Sequence, residues 1–109
     1  MIDIAAVCAL VGDLEVTEIE HWIGEAWVLP ENSAGTYVFH EVDVARVRLI
    51  VELRRDMAID EEAMPVVLNL LDQLYALRRR VKRVTAALDD LPPELRAAIA
   101  ARLDATDPT

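Results

Sequence analysis

The sequence predicts a mostly α-helical fold with one small β-hairpin, a long heptad helix and a short C-terminal helix. Three patterns support this: apolar residues at helical spacing, one central segment of β-branched, aromatic and turn residues, and one stretch of three heptads. The 109 residues, of which 54% are hydrophobic, suffice for one domain with a modest core. Within this domain we expect a core over residues 1–60, a helical pair over 61–104 and a frayed tail over 105–109.

The first two elements are predicted to be short amphipathic helices. Asp3 precedes apolar residues at i, i+3, i+4 and i+7, and Gly12 supplies a stop signal. Thr17 and Glu20 have the Thr-x-x-Glu spacing of a capping box, which predicts that the second helix begins there. Its apolar stripe extends to Ala26. Three polar residues occupy the opposite, solvent-facing side: Glu18, His21 and Glu25.

A small hairpin, or wing, and a third helix follow. Segments 27–29 and 36–39 are rich in β-branched and aromatic residues, and they flank the turn-rich segment 30–35. This arrangement predicts two strands joined by a turn. The apolar pattern of residues 42–57 predicts the third helix, with acidic residues at its start where the helix dipole favours negative charge.

The fourth helix has the clearest periodicity in the chain. Asp60 is suited to cap it, and Pro65 falls in or near its first turn, where proline is tolerated. Apolar residues then alternate spacings of three and four, as in a coiled coil, and we expect a second copy of the chain to cover them. This predicted dimerisation seam consists of Val67, Leu70, Leu74, Leu77, Val81, Val84 and Leu88. A last amphipathic helix is predicted over 94–103.

The formal charge of −9 is concentrated in the first part of the chain. Residues 1–45 contain nine acidic residues and no Lys or Arg, whereas residues 46–109 contain eleven of each sign. An acidic surface repels phosphate backbones and attracts basic protein surfaces, so this part disfavours nucleic acid. A basic cluster beside the seam could bind DNA or an acidic partner, or could meet acids of a neighbouring helix. It consists of Arg78, Arg79, Arg80, Lys82 and Arg83.

Residues suited to catalysis or metal binding are scarce. Ser33 lies in a turn, Cys8 lies on an apolar helix face, and the two histidines belong to separate elements. No metal-ligand spacing and no glycine-rich phosphate loop is present, so we expect no enzyme, no cofactor and no metal. The longest apolar run has eight residues and no basic leader, and there is a single cysteine. We therefore expect no membrane span and a cytoplasmic location.

The order of elements resembles a winged helix-turn-helix of the MerR type. The segment from Val16 to Pro30 is similar to the recognition-helix segment of that superfamily, and Tyr37 and Phe39 are similar to its wing. Two further segments, 53–59 (LRRDMAI) and 67–74 (VLNLLDQL), look like the small CbpM-type chaperone modulators. The likeness covers roughly residues 3–84.

This resemblance implies a cytosolic bacterial inhibitor that binds the J-domain of a DnaJ-like, curved-DNA-binding co-chaperone and blocks its engagement with Hsp70. It also implies a homodimer with antiparallel heptad helices. J-domains typically carry a basic helix for Hsp70, whereas DNA-binding relatives need Arg and Lys on the second helix. The expected partner-binding residues are therefore the polar ones of the second helix: Glu18, Glu20, His21 and Glu25. Two alternatives stay open, a MerR-type DNA-binding transcription regulator and a purely structural dimerisation module.

Overall fold

The computed structural model describes residues 2–105, and this part of the chain contains five helices and one two-stranded antiparallel sheet. The elements in chain order are α1 (Ile4–Val11), α2 (Val16–Gly24), β1 (Glu31–Ser33), β2 (Thr36–Val38), α3 (Glu41–Arg55), α4 (Met64–Asp89) and α5 (Pro93–Ala105). The predicted fold class and element order are confirmed. Ala105 ends α5, and the rest of the predicted frayed tail, 106–109, lies outside the described residues. Two compact units, Met1–Leu68 and Asn69–Thr109, make up the chain.

Helices α1 and α3 both begin with local side-chain caps. Asp3 accepts a hydrogen bond from the Ala6 N–H at 2.8 Å, and α1 ends at Gly12, whose φ of 80° is left-handed. The N–H of His40 donates to Asp43 Oδ2 at 2.8 Å and closes the first turn of α3. Sequence-local signals therefore fix both helix starts, as predicted for α1.

The start of α2 differs from the predicted one. The helix begins at Val16, and the N–H of Glu15 donates to Glu18 Oε1 at 3.2 Å in a capping box. The predicted box between Thr17 and Glu20 is wrong, because Thr17 is already helical, whereas a cap residue needs extended backbone. Glu15 has that conformation, with φ −99° and ψ 151°. The sequence contains both spacings and does not distinguish them.

The end of α2 also comes earlier than predicted, at Gly24. The Ala26 N–H donates to the Ile23 carbonyl at 3.0 Å, and the Trp27 N–H donates to the Trp22 carbonyl at 2.9 Å. This is a Schellman motif with Ala26 in the left-handed region at φ 60°. Ala26 is consequently exposed, so its predicted place in the apolar stripe of α2 is wrong. The same turn directs Trp27 into the core.

We expect Ala26→Gly to raise the free energy of unfolding by about 1 kcal/mol, because glycine adopts a left-handed backbone without the Cβ penalty that alanine incurs. Urea unfolding measures the change. Ala5→Gly, at an exposed position inside α1, is the matched control and should lower the same quantity by about 1 kcal/mol. Destabilisation by both substitutions would contradict the left-handed cap.

The wing lies further along the sequence than predicted. Its register consists of three pairs: Glu31 with Val38, Asn32 with Tyr37 and Ser33 with Thr36. Strand β1 thus occupies part of the segment predicted to be the turn, and residues 27–29 lie outside the sheet, so that prediction is wrong. Ala34 and Gly35 both have positive φ, as in the two-residue turns that match strand twist. This tight turn, rather than the apolar run before it, sets the register.

The core of the first unit is formed by α1, α2, α3, the wing and the start of α4. Its largest fully buried side chains are Trp22, Phe39, Ile19, Ile50, Met64, Val7, Val28 and Val47. The N–H of Phe39 donates to the Ile2 carbonyl at 2.8 Å, which joins the end of the wing to the N-terminal segment. Of the three apolar residues before the wing, Trp27 and Val28 are core residues and not strand residues, whereas Leu29 is exposed.

Helix α4 begins at Met64, and Asp60 caps the turn that leads into it: the Ala63 N–H donates to Asp60 Oδ1 at 2.8 Å, and the Met64 N–H donates to the Asp60 carbonyl at 3.1 Å. Pro65 is in the first turn, as predicted. Among the described residues of the second unit, none is buried. None of the described helices is both long enough and apolar enough to cross a membrane.

Candidate functional site

The four residues predicted to bind a partner all lie on α2 or at its C-terminal cap. Glu18, Glu20 and His21 belong to the helix, and Glu25 is the cap residue. We call this group the α2 surface. The side chains of Glu20 and Glu25 are exposed and form no hydrogen bond or ion pair within residues 2–105. They are the two carboxylates of the group that are available to a partner.

Glu18 is instead engaged by Arg54 of α3, a residue that the sequence analysis did not select. Arg54 Nη1 lies 3.5 Å from Glu18 Oε2, and the guanidinium carbon lies 5.9 Å from the centre of the Trp22 ring. The Arg54 side chain is 45% exposed and that of Glu18 is 33% exposed, so water screens this pair. One cation from outside residues 1–45, that of Arg54, thus lies against the α2 surface.

His21 is engaged by Glu61, from the segment between α3 and α4. The His21 Nε2 and Glu61 Oε1 atoms are in direct contact. The imidazole also meets the Trp27 ring edge-on, with centroids 6.0 Å apart and planes at 72°. Glu61 therefore brings a further carboxylate to the α2 surface. No local sequence signal predicts either contact, since the partners are separated by 36 and 40 residues.

A cleft of about 350 Å³ lies beside His21. Its walls include His21, Trp27, Arg54, Ile59 and the carboxylates of Asp60 and Glu61. Trp27 and Ile59 are apolar surfaces, and the two carboxylates can accept hydrogen bonds from a cation. The Trp27 Nε1 is buried without a hydrogen-bond partner among the described residues. The cleft therefore combines two carboxylates and the Arg54 guanidinium with the apolar side chain of Ile59.

Charge is distributed unevenly between the two units. The first unit contains fourteen acidic residues and four arginines, a formal charge of −10, and the second contains six acidic and seven basic residues, a charge of +1. Three arginines of the first unit are engaged within it: Arg54 with Glu18, Arg55 with Asp13 at 3.5 Å, and Arg46, whose Nε donates to the Trp27 carbonyl at 2.8 Å. Most of the charged side chains of this unit that remain available to a partner are therefore carboxylates.

The wing, like α2, contains no basic residue. Residues 31–38 contain no Lys or Arg, and the nearby His40 contacts the Glu31 carboxylate at 3.0 Å. Contacts to phosphate from this wing would therefore lack the arginine or lysine on which such contacts depend.

Cys8 and the possible metal-ligating side chains can be examined directly within the described residues. Burial, and secondly the negative charge of Glu18, raises the pKa of the Cys8 thiol. The thiol is therefore protonated at neutral pH and is not an activated nucleophile. Within the described ranges, no group of three or more His, Cys, Asp or Glu residues is arranged to hold a metal ion.

The predicted dimerisation seam is largely open. Val67 and Leu88 are half-buried, and the five residues between them are exposed by 41% to 59%: Leu70, Leu74, Leu77, Val81 and Val84. The adjacent basic cluster, from Arg78 to Arg83, is also exposed and forms no ion pair within the described part of the chain. Both features are therefore accessible to a partner.

Residues 2–85 match the model of a family described as MerR HTH family regulatory protein. The match extends from the N-terminal segment across the wing and α3 into the last turns of α4, so it includes the whole α2 surface. No curated protein and no solved structure gives a significant match to the chain.

Proposed function

The chain belongs to the MerR helix-turn-helix family of regulatory proteins, and we propose that it regulates by binding a protein. In this proposal it is a chaperone modulator that covers the J-domain of a DnaJ-like co-chaperone and prevents its engagement with Hsp70. The observation that most supports it is the charge of α2. This helix presents the free carboxylates of Glu20 and Glu25 and contains no Lys or Arg.

DNA binding through α2 would require the opposite charge. In a helix-turn-helix protein the second helix lies in the major groove, where phosphate and base contacts depend heavily on Arg and Lys. The one guanidinium beside α2, that of Arg54, is held between Glu18 and Trp22. With a charge of −10 on the first unit, the long-range field favours a basic protein surface over a duplex.

The cleft beside His21 gives this proposal a local mechanism. A lysine or arginine from a basic helix could place its stem against Trp27 and Ile59 and its head near Asp60 and Glu61. Glu20 and Glu25 would attract the neighbouring cations of the same helix. A J-domain held in this way would have its Hsp70-facing surface covered, so inhibition would follow from occlusion.

The first experiment is a titration of the chain against an isolated J-domain of a DnaJ-like co-chaperone at two salt concentrations. We expect saturable binding that weakens as salt rises, because the attraction is between exposed charges. In a second assay, the chain should lower the stimulation of Hsp70 ATP hydrolysis by the same J-domain. Absence of saturable binding at low salt would refute the chaperone-modulator proposal.

A random-sequence DNA duplex serves as the parallel ligand. Because α2 and the wing lack basic residues, we expect duplex binding weaker than about 100 μM at physiological salt, at or beyond the weak end of ordinary non-specific binding. Fluorescence anisotropy of a labelled duplex measures it. Micromolar binding with a steep salt slope would contradict this expectation.

The second candidate function is a DNA-binding transcription regulator, which the family match and the exposed basic cluster of α4 favour. In that case the contacts would come from α4 and not from α2. Substituting Arg79 or Arg83 by Ala would then reduce the salt slope of duplex binding by about one unit each. If the duplex does not bind, these substitutions have no slope to change, which separates the two candidates.

A further inference from the structure

Among the large apolar side chains of residues 2–105, those of Leu29 and Val42 are the most exposed, at 74% and 73%. They belong to different elements, because Leu29 precedes the wing and Val42 lies in the first turn of α3. Single exposed apolar residues are normal on a protein surface, whereas exposed apolar residues that lie together and are rimmed by polar groups mark an interaction site. The significance of Leu29 and Val42 therefore depends on whether they share one surface.

Two contacts bracket Leu29 and hold its segment against α3. Before Leu29, the Trp27 carbonyl accepts a hydrogen bond from Arg46 Nε at 2.8 Å. After Leu29, the Glu31 carboxylate lies 3.0 Å from Nε2 of His40, the N-cap residue of α3. Leu29 therefore lies alongside the first turns of α3.

Val42 lies on the side of α3 that faces this segment. Arg46, whose side chain reaches the Trp27 carbonyl, follows Val42 by four residues, and residues at this spacing share one face of a helix. Val42 is also two residues from His40. Val42 and Leu29 thus lie between the same two contacts and belong to one exposed surface, which we call the wing-side patch.

An open hollow of about 550 Å³ adjoins the wing-side patch. Its walls include the side chain of Ile2 and the carboxylates of Glu31 and Glu41. Glu31 is two residues from Leu29, and Glu41 directly precedes Val42. The Glu41 side chain is exposed and forms no hydrogen bond or ion pair within residues 2–105. The exposed apolar pair and the two carboxylates are therefore available to the same partner.

The charge beside the wing-side patch limits the kind of partner. Residues 27–45 contain three acidic residues and no Lys or Arg. Their negative field repels nucleic acids and anionic lipid surfaces, and a second copy that docked through the same patch would bring the same carboxylates against it. A protein segment that places Lys or Arg beside a large apolar side chain complements both the charge and the apolar surface.

We propose that the wing-side patch and the adjoining hollow form a docking surface for a protein segment in which a large apolar residue is flanked by Lys or Arg. The apolar residue covers Leu29 and Val42, and a cationic side chain enters the hollow toward Glu31 and Glu41. Burial of apolar surface provides the attraction, and the carboxylates select for positive charge. This inference concerns the wing and α3 and does not depend on J-domain binding at the α2 surface.

The test uses the full chain and three fluorescently labelled peptides. The first is an amphipathic peptide of Leu and Lys, the second has Ser in place of every Leu, and the third has Glu in place of every Lys. Fluorescence anisotropy measures the affinity of each peptide. We expect the Leu/Lys peptide to bind at least about tenfold more tightly than either of the other two. High salt should reduce its advantage over the Leu/Glu peptide.

Leu29→Ser/Val42→Ser removes the wing-side patch, and we expect it to weaken binding of the Leu/Lys peptide at least about tenfold. The matched control is Leu10→Ser/Met57→Ser, which removes two other exposed apolar side chains of the first unit. The control should leave the affinity within about twofold of the unmodified chain, because neither residue belongs to the patch. All four side chains are exposed, and circular dichroism of each variant verifies that the helices are retained.

Glu31→Gln/Glu41→Gln tests the hollow without changing the size of either side chain. We expect this variant to bind the Leu/Lys peptide about threefold more weakly than the unmodified chain and with a smaller dependence on salt. Its affinity for the Leu/Glu peptide should rise, because two repulsive charges are removed.

Three results would overturn the proposal. Failure of the Leu/Lys peptide to bind the unmodified chain would show that the patch does not accept a segment of this chemistry. Equal affinity of Leu29→Ser/Val42→Ser and its control would place the peptide on another surface. A smaller sedimentation mass of Leu29→Ser/Val42→Ser than of the unmodified chain would identify a second copy as the occupant of the patch.

Discussion

Reversing the two free carboxylates of α2, in Glu20→Lys/Glu25→Lys, is expected to weaken J-domain binding at least about tenfold, which corresponds to about 1.4 kcal/mol. Both side chains are exposed and form no hydrogen bond or ion pair within residues 2–105, so the change should leave the fold intact. Each attractive interaction with a basic helix becomes repulsive, which slows association most strongly at low salt. Titrations by calorimetry at two salt concentrations measure the effect.

The control for this prediction is Asp89→Lys/Asp90→Lys at the end of α4. It changes the net charge by the same amount, both positions are exposed, and lysine is favourable at a helix C-terminus. We expect J-domain affinity within about twofold of the unmodified chain, since these residues are not part of the α2 surface. Equal weakening by both variants would mean that net charge and not the α2 surface determines binding. No weakening by Glu20→Lys/Glu25→Lys would move the interface to another surface.

Glu18 is a poorer choice for this test, although it was among the predicted binding residues. Its carboxylate accepts from the Glu15 N–H at the start of α2 and pairs with Arg54. A lysine there would remove the helix cap and face an arginine, so lost binding could reflect lost stability.

Leu68→Ala is expected to lower the free energy of unfolding of the first unit by about 2 to 5 kcal/mol. Leu68 is 3% exposed, and its truncation would remove apolar contacts and leave a cavity in a packed core. Such a loss is a large fraction of the stability of a unit this size. Urea unfolding followed by the fluorescence of the two buried tryptophans, Trp22 and Trp27, measures it.

Leu70→Ala is the matched control, two residues further along the same helix. Leu70 is 59% exposed, so the same truncation should change stability by less than about 0.5 kcal/mol in dilute protein. An equal loss from both substitutions would contradict the exposed placement of Leu70. The pair thus tests where α4 leaves the packed core of the first unit.

Much of the fold could be predicted from local sequence patterns. The cap at Asp3 and the stop at Gly12 determine α1 because both act within one helical turn. The long apolar periodicities of α3 and α4 are similarly unambiguous, since they persist over many turns. The charge of each residue follows from its identity, so the absence of Lys and Arg from residues 1–45 is known without a structure.

The predictions that were wrong concern places where two local solutions compete. Glu15 with Glu18 and Thr17 with Glu20 share the same capping spacing, and only the backbone of the folded chain selects the first pair. The run 27–29 has strand composition, but Trp27 and Val28 are used in the core. A β-branched or aromatic residue favours any half-buried or buried setting, so composition alone does not place it in a sheet.

The sequence by itself determined the order of helices and wing, the acidic α2 and the heptad stripe with basic flanks, because these depend on spacing and charge along the chain. Only the tertiary structure decided which of these residues are free. It pairs Glu18 with Arg54 and His21 with Glu61, and it buries Leu68 while leaving Leu70 exposed. The sequence alone does not show which acid pairs with which base. Nor does it show which of the two leucines is buried, because both are equally apolar. Packing in three dimensions makes the choice, since contacts between residues far apart in the chain leave no local pattern.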